Sequence, residues 1–282
     1  MRTAIAVPAL LLCALVAGCQ AGTVESPAAA PTAATSTATG TSAAPPTASP
    51  KPTPTTSKQP TATARPLAGR TIVIDPGHNG VWTRRELRKV PSGNGRTKPC
   101  NSSGTATNAG YAEHAYNWAQ ASALATVLRA RGATVRLTRA DDHGEGPCVN
   151  LRSTLANQLK ADALVSIHAD GSLSRGARGF HVIVSTTMTG GTAIEQRSLD
   201  LAKDVRRALE DGTAMPRSTY IGNGTALSLR TDLGTLNLSR RPAVMLEMGN
   251  MRHAKDAALL TSKTFRSQAA EAIADGLEAY LG

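Results

Sequence analysis

The chain has 282 residues, a formal charge of +11 and only 3% aromatic residues. A balance this basic favours an anionic partner, but the scarcity of aromatics and the lack of any stacking or groove-reading motif exclude nucleic acid. The first 66 residues hold Arg2, Lys51, Lys58 and Arg65 against Glu25, so +8 of the charge falls on the rest.

In chain order, Arg2 precedes an apolar run over residues 4–17 that ends in Val16-Ala17-Gly18-Cys19. The run is too short for a permanent membrane span and reads as a secretory leader over 1–18. Small residues directly before Cys19 resemble a bacterial lipobox, which implies an exported lipoprotein acylated at Cys19 and held to the membrane by its lipid. An ordinary leader with Cys19 incidental is the plainer alternative. Residues 19–66 are almost wholly Ala, Thr, Ser and Pro. Such a segment buries too little apolar surface to fold and reads as a tether. Residues 67–282 are then one domain with its own core. Within it Cys100 and Cys148 read most simply as one disulfide, the exported setting favouring that over metal ligation.

Short β-branched runs predict strands over 70–75, 133–138, 163–168, 179–185 and 242–247. Helices are predicted over 111–131, 149–160, 193–210 and 262–281, with Trp118, Ala121, Ala125 and Leu128 marking the apolar face of the first. The alternation predicts an α/β fold: a single domain with a twisted, mostly parallel sheet flanked by helices on both faces.

Ligands in such folds gather at the carboxyl ends of the strands. His78 follows the first predicted strand, His168 closes the third, Glu247 closes the last, and Glu113 opens the first long helix. Two imidazoles and a carboxylate are the ligand set of a catalytic zinc ion, which leaves one position for water. Glu247 is then free to serve as general acid and base. Taken singly, each residue admits a plainer role. A strand-end histidine is commonly structural, Glu113 suits the positive end of its helix, and a buried Glu247 suits an ion pair.

The flanking residues carry more. Ile-Val-Ile-Asp-Pro-Gly-His stands at 72–78, Glu113 is followed by Asn117, and Thr138-Arg139 by Asp142. Arg152 precedes Ala156-Asn157, Ala161-Asp162 leads to Ser166-Ile167-His168-Ala169, and Pro242 to Leu246 ends on Glu247. In these blocks the chain resembles the zinc-dependent N-acetylmuramoyl-L-alanine amidases of bacterial cell-separation enzymes, the amidase type 3 family, over residues 70–282. The resemblance implies zinc on His78, Glu113 and His168, catalysis by Glu247, and peptidoglycan as the substrate, cut between muramic acid and L-alanine. Arg139, Asp142, Arg152 and Asn157 match the pattern as fold-supporting residues, and Asp75 as a group orienting the turn or His78. The sequence leaves the oligomeric state open, with a monomer expected. The alternatives are a zinc peptidase cutting within the stem peptide, and a wall-binding domain without activity.

Two departures stand out. Asn79 replaces a glycine common in the family. A segment over 81–103 lengthens the chain between His78 and Glu113, as in members of the mycobacterial type, and carries Arg84, Arg85, Arg88, Lys89, Arg96 and Lys98. This basic segment is expected to border the substrate groove and limit access, the plainer alternative being a merely solvated loop. His114, His143, His181 and His253 are unassigned, with His181 a candidate for the cleft wall.

Overall fold

A computed structural model describes residues 65–282. The expected leader, Cys19 and the expected tether up to residue 64 lie outside the described residues. Leu67 already sits in the main core at 1% exposure.

Eight strands and six helices follow in the order β1 (Thr71–Pro76), β2 (Lys89–Pro91), β3 (Thr97–Pro99), α1 (Glu113–Ala130), β4 (Thr134–Leu137), α2 (Val149–Gln158), β5 (Ala163–Asp170), β6 (His181–Ser185), α3 (Thr192–Gly212), β7 (Leu227–Arg230), α4 (Gly234–Asn237), β8 (Ala243–Asn250), α5 (Ala254–Thr261) and α6 (Lys263–Leu281). Six strands form one sheet in the order β4-β1-β5-β8-β6-β7. The pairs β1–β4, β1–β5, β5–β8 and β6–β7 are parallel, and β6 runs antiparallel to β8. The sheet is therefore mixed but mostly parallel, as expected of strands joined by helices. Among the described residues no helix is long and apolar enough to cross a membrane.

Strand residues alternate between two faces, and the two faces differ. One is apolar along its whole length: Ile72, Ile74, Val165, Ile167, Ala169, Val244, Leu246 and Met248 join the main core under α1, α3 and α6. The buried positions of α3 (Ser198, Leu201, Ala202, Val205 and Leu209) recur at helical spacing and seat it against the sheet and α6. On the other face Val73, Leu164, Ile183, Ala243 and Met245 pack under α2 and α4. Toward the carboxyl ends of the parallel strands that second face turns polar, with Asp75, Ser166, His168 and Glu247 in the same alternation. Apolar side chains thus close the lower half of this face, and the upper half is left for chemistry.

The predicted strands and helices all form, with shifted ends. β5 and β8 run on to Asp170 and Asn250, so His168 and Glu247 lie inside their strands near the carboxyl ends instead of closing them. Five labelled elements have no sequence prediction behind them: the hairpin strands β2 and β3, β7, α4 and α5. All are short, from three to eight residues, too brief for an apolar period to stand out.

Candidate metal centre

His78 lies two residues beyond β1 with φ of +60°, a left-handed backbone uncommon for a side-chain-bearing residue. Arg152 of α2 holds it there. This arginine is buried at 1% exposure. Its Nη1 donates to Asp75 Oδ1 at 2.7 Å and to the Pro76 carbonyl at 2.9 Å, and its Nη2 donates to the His78 carbonyl at 2.8 Å and Asn79 Oδ1 at 2.9 Å. Asp75 is braced in turn by the hydroxyls of Thr138 at 2.5 Å and Ser166 at 2.6 Å. Burial works to raise the Asp75 pKa, but Arg152 and the two hydroxyls outweigh it and hold the carboxyl below its ordinary value. Asp75 therefore orients the turn through Arg152 and has no bond of its own to His78.

The His78 ring is fixed by the 81–103 segment and its continuation. Nδ1 lies 2.8 Å from the Ser102 carbonyl, which can only accept, so Nδ1 carries the proton and Nε2 presents its lone pair. Nε2 is 2.9 Å from Glu113 Oε1. His168 reaches the same oxygen through Nδ1 at 3.0 Å, and its ring packs on Gly77, where a Cβ would collide with it. Glu113 is the first residue of α1 and is buried at 4% exposure. Its Oε2 accepts from the Thr105 backbone at 2.9 Å, and its Oε1 from the Ala169 backbone at 3.2 Å.

One ligand atom from each of His78, Glu113 and His168 lies within 4.8 Å of the other two. Burial raises the Glu113 pKa, yet the adjoining imidazoles prevail and keep it well below the carboxylate range. Burial also lowers the His168 pKa, against the pull of Glu113, and favours the neutral imidazole. A carboxylate held ionised between two imidazoles, one of them oriented by a carbonyl, is a donor set that fits zinc.

Glu247 stands beside this cluster. It is the register partner of His168 across β5 and β8, so the two side chains share a face of the sheet. The residue keeps partial exposure to the cleft, while its Oε2 is sealed from solvent without a hydrogen-bond partner. Burial, reinforced by the negative charges of Glu113 and Asp170, raises its pKa well above the ordinary glutamate value. A carboxyl whose pKa is raised in this direction suits a group that both accepts and returns a proton.

All four residues line one cleft of about 410 Å³. Lys98, Asn101 and Ser103 form one wall, Leu233 to Thr235 another, and Asp170 sits at the far rim. Among the basic residues of the 81–103 segment Lys98 alone borders the cleft, with Nζ donating to the Asp232 carbonyl at 2.9 Å. Arg85 instead pairs with Glu145 on an exposed surface. The segment is pinned by a Cys100–Cys148 disulfide at the start of α2. Asn79, standing for the common glycine, donates to Glu86 Oε1 at 2.7 Å and thereby ties the segment to the His78 turn.

The remaining family positions support the frame. Arg139 Nε donates to the Pro76 carbonyl at 3.0 Å and its Nη1 to Asp142 at 2.8 Å, while Asn157 braces the 238–240 turn. His114 contacts Asp142, not the cleft. Sequence reasoning missed Asp170, although it lies two residues after His168 and so on the same face of β5. It also missed the 102–105 stretch, whose contribution is largely backbone.

A family model described as N-acetylmuramoyl-L-alanine amidase, type 3, matches residues 72–279. The N-acetylmuramoyl-L-alanine amidase Rv3717 of Mycobacterium tuberculosis is 39% identical over 221 residues, covering 78% of this chain and 90% of its own length. Among solved structures, the N-acetylmuramyl-L-alanine amidase Ami1 of Mycobacterium smegmatis superposes with a TM-score of 0.73 at 40% identity, covering 77% of this chain and 98% of the other. The apo form of Ami1 from Mycobacterium abscessus also gives 0.73, at 41% identity, with coverage of 77% and 100%. With the matched span running from the second residue of β1 through most of α6 and holding every residue of the cluster, the chain belongs to the type 3 N-acetylmuramoyl-L-alanine amidase family, in its mycobacterial form.

Proposed function

We propose that the chain is a zinc-dependent, exported N-acetylmuramoyl-L-alanine amidase that hydrolyses the amide between muramic acid and L-alanine of peptidoglycan. His78, Glu113 and His168 hold the ion, and Glu247 is the catalytic acid and base. The observation that carries this reading is the convergence of the three donors beside Glu247 in one cleft. Residues 1–18 serve as the leader, 19–66 as a tether fixed to the membrane through a lipid on Cys19, and 67–282 as the catalytic domain, acting as a monomer.

When bound, zinc supplies a Lewis acid that polarises the scissile carbonyl and makes a water molecule acidic enough to attack at neutral pH. The chain's own residues do the rest. Glu247, poised by its raised pKa, takes the proton of the attacking water and delivers it to the departing L-alanine nitrogen. The carbonyl of Ser102 and the Arg152 clamp keep the His78 ring and backbone in place. Lys98 and residues Leu233 to Thr235 at the start of α4 line the cleft that receives the polymer.

Digestion of purified peptidoglycan by the full chain with zinc, followed by mass spectrometry of the new termini, tests the reading. The expected products are stem peptides with a free L-alanine amine and intact glycan, lost on chelation and restored by zinc. New termini inside the stem peptide would establish a peptidase. Binding without cleavage at saturating zinc would establish a wall-binding domain.

A further inference from the structure

The antiparallel strand β6 brings a third side chain to the row formed by His168 and Glu247. His181, the first residue of β6, is the register partner of Glu247 on the side away from His168. The three side chains therefore share one face of the sheet, with His181 and Glu247 at cross-strand contact spacing.

Each of these two neighbours carries a sealed polar atom without a partner, Nδ1 on His181 and Oε2 on Glu247. Buried polar atoms are ordinarily paired, and each left unpaired is costly. Here a nitrogen and a carboxyl oxygen of complementary character stand on adjacent strands. The His181 ring also meets Tyr220 edge-on, with ring centroids 6.3 Å apart. Tyr220 is itself tied down, its hydroxyl donating to Asp170 Oδ2 at 2.6 Å. Asp170 and Arg230 exert opposing electrostatic effects on His181, and burial, the largest influence, brings its pKa to about 4. At neutral pH the ring is thus uncharged, with one N–H to donate and one lone pair to accept. It can hydrogen-bond a glutamate in either protonation state.

We infer that His181 is a positioning residue for Glu247: neither atom is bonded in this arrangement, and a side-chain adjustment between these register partners joins the ring nitrogen to the Glu247 carboxyl and holds it in the orientation that faces the reacting water. The inference rests on the assignment of Glu247 as acid and base. His181 touches neither substrate nor metal in this scheme and acts only through Glu247. The carboxyl must face water in one half of the reaction and the leaving nitrogen in the other, and a neutral donor-acceptor partner suits both.

The test uses the full chain loaded with zinc and two variants. His181→Phe keeps a ring of similar size without nitrogen, and His181→Gln keeps a side-chain donor and acceptor. His181→Phe is expected to lower kcat about 10- to 100-fold, the scale for losing an outer-shell orienting group, with KM little changed and one zinc per chain retained. His181→Gln is expected to recover most of the loss. Equal losses in both variants, a loss confined to KM, or no loss would overturn the proposal. A second measurement needs neither turnover nor metal. In the zinc-free protein labelled with ¹⁵N-histidine, Glu247→Gln is expected to shift the His181 ring-nitrogen resonance, and an unmoved resonance would also overturn it. If the wild-type chain proves inactive on wall, the amidase reading fails on that result, while the resonance still reports whether the contact exists.

Discussion

His168 and Glu247 are register partners on the neighbouring parallel strands β5 and β8. A proposed metal ligand and the proposed acid/base therefore stand side by side on one face of the sheet, their spacing set by backbone hydrogen bonds instead of loop conformation. A site built on strands in this way holds its groups more tightly than one assembled from loops.

The first prediction concerns the division of labour this implies. Glu247→Gln is expected to lower kcat by about 10²- to 10⁴-fold, the usual scale for a general acid/base, while zinc stoichiometry stays at that of the wild type. Steady-state assay of muropeptide cleavage with metal analysis of the same preparation decides it. Loss of zinc in the variant would move Glu247 into the ligand set.

Gly77 has no room for a side chain, because its Cβ would meet the His168 ring. Gly77→Ala is expected to keep the folded circular dichroism spectrum but to weaken zinc binding by about 10- to 100-fold, as for disturbance of a ligand's supporting contacts. Competition with a chromogenic chelator reads the affinity. Wild-type affinity would show that the ring can shift without leaving the metal.

Arg152 is buried on Asp75 with a 2.7 Å contact, the side chains being 1% and 0% exposed. Removing one partner of such a pair leaves an uncompensated charge, so Arg152→Met is expected to destabilise the domain by about 3–5 kcal/mol in urea titrations. It also frees the His78 turn, and zinc affinity should fall with stability.

The same pair sets a pH dependence. Because the folded-state pKa of Asp75 is depressed, its contribution is fully present above the unfolded value near 3.8 and is lost as pH falls through the lower folded value. Asp75→Asn should therefore be less stable than wild type at neutral pH, with the gap narrowing below about pH 3.8. Parallel melts across the acid range check the sign.

Cys100 and Cys148 close a loop with a sequence separation of 48 residues. Loop-closure entropy gives such a bridge an upper contribution of about 4 kcal/mol. Cys100→Ser with Cys148→Ser is expected to lose a large part of that in denaturant titrations. It should also loosen the Ser102 carbonyl from His78, which a weaker zinc affinity would report.

Much of this was legible in the linear sequence. The β-branched runs and helical periods placed every large element, and period-two alternation on strands is strong enough to fix which residues face together. The proposed donor residues His78, Glu113 and His168, which the structure brings together, stood out because imidazole and carboxylate at strand and helix ends have a distinctive chemistry, and the flanking blocks named the family. The two cysteines also suggested their bond, which the structure contains. Short elements such as β7 and α4 escaped, since four residues carry no readable period.

What the sequence by itself determined is therefore the composition of the site and the order of the elements that deliver it, because these follow from residue chemistry and local periodicity. Tertiary structure alone decided the neighbours. That Ser102 contributes a carbonyl, that Arg152 clasps the His78 turn, that Lys98 and no other basic residue of its segment borders the cleft, and that His181 lies beside Glu247 all depend on strand order and register. Those are set by contacts between segments tens to hundreds of residues apart, for which a single chain of letters carries no local signal.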